Sequence, residues 1–114
     1  MFESPLSTIP MIFGLIVIIA SLIMKILPPK KPNWIYGYRT RRAMKDQAHW
    51  EFAQAHSAKL MLLFGLASMA FSSIGYLFEL SQTVQLIIGI IWILFVSIML
   101  IYRTEKALID KFGG

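Results

Sequence analysis

MIFGLIVIIASLIM, residues 11–24, contains no charged side chain and almost nothing but Ile, Leu, Val, Met and Phe. The uncharged stretch around it extends over residues 5–24, and two more follow at residues 60–78 and 84–102, each run 19 or 20 residues long. About 20 residues of α-helix cross a hydrocarbon core of about 30 Å. In lipid the backbone must satisfy its own hydrogen bonds, so each run is predicted to be helical, β-branched residues notwithstanding. The expected fold is an all-α membrane protein. It has three transmembrane helices at about 6–27, 58–78 and 84–102, a helical loop at 28–57 between the first two, and a tail at 103–114, all in one domain spanning 1–114.

Composition agrees. Of 114 residues, 57% are hydrophobic and 15% charged, against roughly 25% charged in soluble domains. A soluble chain this short could not bury so much apolar side chain. Cysteine is absent, which excludes a disulfide framework, a thiolate nucleophile and thiolate zinc ligation. The first run is read as a retained anchor, because a signal peptide needs a basic start and a small-residue exit. This start carries Glu3 and no Lys or Arg, and the run leaves through Lys25-Ile26-Leu27-Pro28-Pro29.

The net charge of +5 is unevenly placed. Eight of the eleven Lys and Arg lie in residues 25–59 and three after Tyr102, while the N-terminal stretch and the turn at 79–83 hold none. The positive-inside rule then places the long loop and the C-terminus in the cytoplasm and the N-terminus outside, in a cytoplasmic membrane. The aromatic residues Trp34, Tyr36, Tyr38, Trp50, Tyr76 and Tyr102 fit interfacial belts. Trp92 lies deeper, against lipid or a helix.

Within the second span, Gly65, Ser68, Ser72 and Gly75 recur at steps of three and four and form one stripe. Small residues let membrane helices approach closely, and serines can bond across the contact. The stripe is predicted to be the main packing face, within the chain or between two copies. Gly14 and Ser21 in the first span and Gly89 and Ser97 in the third are candidate counterparts. No ionisable residue lies near the middle of a span, which argues against an ion-coupled transporter.

The loop concentrates the remaining information. Residues 25–32 hold three prolines and three lysines, which end the first helix and stiffen its exit. Gly37 permits a turn, and Thr40 suits the N-cap of a helix over residues 41–56, where Gly and Pro are absent, a helix that can run on into the second span. On that helix Ala43, Met44, Gln47, Trp50, Ala53 and Gln54 share a mixed, weakly apolar side. His49 and His56 would lie about 10 Å apart along the axis, too far for one metal, and Asp46 with His49 falls short of a site. No metal site, cofactor, catalytic triad, phosphate loop or nucleic-acid function is expected, and the protein is not read as an enzyme. Arg39, Arg41 and Arg42, with Lys45 nearby, could hold an anion such as lipid phosphate.

Gly37-Tyr38-Arg39-Thr40, then Ala43-Met44-Lys45, Trp50, Phe52-Ala53 and Lys59-Leu60, set between two apolar spans, resemble the SdpI family. Its pattern is a Gly-x-Arg-Thr start, a Trp about ten residues on, and a polar or aromatic residue just before the next span, where His56 falls. The family consists of bacterial membrane proteins, several of which protect cells against a secreted toxic peptide of the SdpC type, and some of which also sequester a transcriptional repressor. The resemblance implies immunity or resistance to a membrane-active peptide, with the lipid bilayer and that peptide as partners. The alternative is a membrane-tethered signalling module docking a cytoplasmic regulator. Gly37, Tyr38, Arg39, Thr40, Arg42, Lys45, Trp50 and His56 are the residues expected to bind or to define the loop.

Overall fold

The structure is a computed structural model and describes residues 5–33, 35–75 and 77–113. The expectations placed on Glu3, Trp34 and Tyr76 fall outside these residues. Three helices follow in order: α1 (Pro5–Ile26), α2 (Gln47–Ile74) and α3 (Gln82–Phe112). All three are long and apolar enough to cross a membrane, and the described residues contain no strand. The chain is an all-α, multi-pass membrane protein.

Each helix begins where its chemistry permits. Pro5 occupies the first position of α1, where a missing N–H costs nothing. The Leu6 amide, one of the donors left unpaired at a helix start, is taken by Gln85 Oε1 of α3 at 3.3 Å. Ser81 caps α3 by accepting from the Val84 amide. The start of α2 departs from the expectation. Thr40 is not its N-cap: the Thr40 hydroxyl accepts from the Ala43 amide and its carbonyl from Met44, closing one isolated turn. The helix begins six residues later, with Asp46 in extended conformation accepting from the His49 amide at 2.8 Å. From there it runs without interruption into the apolar span, so the second half of the loop and the span are one rod. Likewise α3 continues through Arg103 and Lys106 to Phe112.

The small-residue stripe of α2 packs within the chain, against α1. A Cβ on Gly14 would lie 2.8 Å from the Gly65 carbonyl oxygen and 3.0 Å from Ser68 Cβ. One on Gly75 would lie 2.8 Å from the Ser7 amide nitrogen. The helices approach this closely because the glycines carry no side chain there and the residues facing them are small. Ser21 donates from its hydroxyl to the Ala58 carbonyl at 2.8 Å, joining α1 to α2. Ser72, also buried, bonds to Met69 of its own helix. On α3, Gly89 receives Ile9 of α1. Trp92 faces α2 rather than lipid: its ring stacks on Phe71 at 4.1 Å and its Nε1 donates to Ser68 Oγ at 2.9 Å. The outward surface carries Ile16, Ile19, Leu63, Leu66, Ile91 and Leu94, all exposed. On helices long enough to span a bilayer, such an area of apolar side chain belongs against hydrocarbon.

Candidate functional site

At one end of the bundle the chain between α1 and α2 is strapped across α2 and α3. Asn33 starts it with a local turn, its Oδ1 accepting from the Ile35 and Tyr36 amides. Gly37 follows at φ 104. That conformation aims the backbone of Tyr38 at α2, where Gln54 grips it twice. Gln54 Oε1 accepts from the Tyr38 amide and Gln54 Nε2 donates to the Tyr38 carbonyl, both at 2.7 Å. Gln54 is buried, so this paired bond satisfies a side-chain amide that would otherwise be costly to desolvate.

Glu105 of α3 makes the second fastening. Its Oε2 accepts from the Tyr38 hydroxyl and from the Thr40 hydroxyl, each at 2.8 Å. Its Oε1 lies 3.4 Å from Arg42 Nε, close enough to pair as charges without the alignment of a hydrogen bond. Beneath these contacts Ala43, Ala53 and Leu108 form a fully buried cluster, flanked by Tyr38, Phe52 and Phe112. Trp50 is fully buried, and its Nε1 donates to the Pro29 carbonyl. His49 pairs through Nδ1 with Asp46 at 2.7 Å and stacks on Phe112 at 4.1 Å, which brings the end of α3 under the loop. The His49 amide and then its ring hold the Asp46 carboxyl below its ordinary range. His56 stands apart from the strap, with its ring on Phe52.

Burial first, then the Glu105 carboxylate, push the Tyr38 phenol well above its ordinary value of 10. A raised value means that folding favours the neutral phenol. Its stabilisation is complete below about pH 10 and is lost as pH rises through the folded-state value. Tyr38→Phe removes the titrating group and keeps the ring. Melting curves recorded in detergent from pH 8 to 11 should therefore fall more steeply for the parent than for Tyr38→Phe. Equal slopes would show that the hydroxyl is not held by Glu105.

Above this strap Arg39, Arg41, Arg42, Met44, Lys45 and Glu105 surround a crevice of about 850 Å³. It gathers four cationic side chains around one carboxylate, and that carboxylate already serves Tyr38, Thr40 and Arg42. The arrangement suits an anionic group, which planar guanidinium groups can hold by charge-assisted bonds.

Residues 30–108 match the SdpI/YfhL protein family. The chain belongs to that family. Among relatives it is similar to YfhL of Bacillus subtilis (strain 168), an uncharacterized protein, at 37% identity over 101 residues that cover 89% of each chain. No solved structure matches. The segment shared with the SdpI/YfhL family starts within the proline-rich exit of α1 and ends at Leu108, so it contains Gly37, Tyr38 and Thr40 together with Gln54 and Glu105 that hold them.

The structure thus brings Gly37, Tyr38, Thr40, Arg42 and Trp50 into one construction, with Arg39 and Lys45 on the crevice beside it and His56 outside it. Sequence reasoning missed the two side chains that receive the strap. Gln54 was visible only as one member of a weakly apolar face. Glu105 was hidden in the tail, marked by nothing except its place after Tyr102-Arg103-Thr104.

Proposed function

We propose that this SdpI/YfhL family member is an immunity protein that protects its cell against a secreted, membrane-active peptide by binding it at the bilayer. The observation that carries the reading is the family match over residues 30–108, which takes in Gly37, Tyr38, Gln54 and Glu105. The loop and the C-terminal part of α3 share one end of the bundle, since Tyr38 and Thr40 reach Glu105. That end holds the basic residues. On the positive-inside rule it faces the cytoplasm, with the N-terminus outside, in the bacterial cell membrane.

A toxin challenge tests this. Cells expressing the chain should survive an SdpC-type peptide that kills cells carrying an empty vector. Unchanged killing, with the protein measured in the membrane fraction, would reject immunity to that peptide. A second reading, favoured by the basic crevice, is docking of an anionic patch on a cytoplasmic regulator. Arg41→Gln with Lys45→Gln alters two exposed residues whose side chains make none of the strap's fastenings. The immunity reading expects survival to persist in that variant. The docking reading expects a regulator captured by the parent to be lost.

A further inference from the structure

The exit from α1 roofs a second crevice, lined by none of the arginines and resting on residues 47–58 of α2, with a volume of about 660 Å³. Met24, Pro28, Ala55 and Ala58 give it apolar walls. Lys25, Lys30 and Lys31 also line it and are exposed. Among the described residues none of these lysines is in an ion pair. The one acid in the wall, Glu51, accepts from Gln47 Nε2 at 2.8 Å.

The crevice is pre-formed. Its roof is fixed by three bonds to backbone carbonyls: Trp50 Nε1 to Pro29, Gln47 Nε2 to Lys30, and the Tyr36 hydroxyl to Leu27. Its floor is the point where Ser21 closes α1 onto Ala58. Beside it Ile23, Ile26 and Leu27 are exposed by 45%, 75% and 67%. Apolar residues so open belong against hydrocarbon, and Lys25 among them and Lys30 and Lys31 after them belong with headgroups. The crevice therefore straddles the boundary between the two layers.

We propose that it holds one anionic phospholipid. The phosphate lies among Lys25, Lys30 and Lys31, and the glycerol and upper acyl chain lie along Met24, Ala55 and Ala58. A soluble phosphate would satisfy the lysines and leave the apolar wall bare. A zwitterionic lipid would fill the wall and leave an excess of positive charge. A rigid site loses little entropy on binding, which favours retention of a single molecule.

The test is native mass spectrometry of the full chain in non-ionic detergent, loaded with phosphatidylglycerol or phosphatidylcholine. The parent should retain one phosphatidylglycerol and no phosphatidylcholine. Neutralising Lys25, Lys30 and Lys31 together to Gln should weaken retention about 100-fold, from the usual contribution of a basic residue beside an anionic headgroup. Ala55→Phe should abolish it with every charge in place, by filling the crevice. Lys59→Gln, Lys106→Gln and Lys111→Gln combined, the same change in charge elsewhere, should leave it intact. Equal retention of the two lipids, parental binding in both crevice variants with normal helical content, or an equal loss in the distal variant would overturn the proposal. So would displacement by inorganic phosphate.

Discussion

Replacing Trp50 by Ala is expected to destabilise the protein by about 3–5 kcal/mol, the range for emptying a fully buried aromatic site. Trp50 has no exposed surface, and its indole nitrogen holds the Pro29 carbonyl. The loss therefore combines a cavity with a carbonyl stripped of its donor. The two parts separate in Trp50→Phe, which keeps most of the ring and should lose only about 1 kcal/mol more than its small change in volume explains. Unfolding in mixed micelles, followed by circular dichroism, measures both. A Trp50→Ala protein as stable as the parent would mean that the strap does not close over this ring.

Gly37→Ala should cost roughly 2–6 kcal/mol by a different route. At φ 104 a residue with a Cβ is strained, at about 1–3 kcal/mol. The added carbon would also lie 2.6 Å from Gln54 Oε1 and 2.8 Å from Pro29 Cγ. Gln54 must then withdraw and release both backbone bonds to Tyr38, at about 1–3 kcal/mol for buried groups left unpaired. Amide exchange at Tyr38 should accelerate, because its N–H loses its acceptor. The double variant Gly37→Ala with Gln54→Ala should fall short of the sum of the single losses, since both remove the same fastening. Strict additivity, or a Gly37→Ala protein within about 0.5 kcal/mol of the parent, would show that the grip contributes nothing to stability.

The two predictions concern residues that the sequence points to for general reasons: a glycine in a loop and a tryptophan at a membrane boundary. The three spans were legible because an uncharged run of 19 or 20 residues admits no other solution in lipid. Their ends were not. Glu51 and Lys59 ride on α2, and Arg103, Glu105 and Lys106 on α3, where the helices have left the apolar run. Charge marks the edge of the hydrocarbon, not the end of a helix. Thr40 and Asp46 both have capping side chains, and each caps something. Ala43, packed against Ala53 and Leu108, lies in the short turn that follows Thr40, and the long helix waits for Asp46. The fastenings were hidden because they are non-local. Tyr38 meets Gln54 across 16 positions and Glu105 across 67, and no periodicity in a single sequence encodes such a pairing.

The unbroken length of α2 has a consequence for what can reach the strap. A 28-residue helix is about 42 Å long and the hydrocarbon about 30 Å thick. Roughly two turns therefore stand clear of the oily layer, and α3, at 31 residues, overshoots on the same side. Between these two posts the loop is slung like a deck above the acyl chains. A molecule dissolved wholly in the membrane interior slides past smooth isoleucine and leucine walls; only one that lifts a polar portion out of the oil comes level with the arginines.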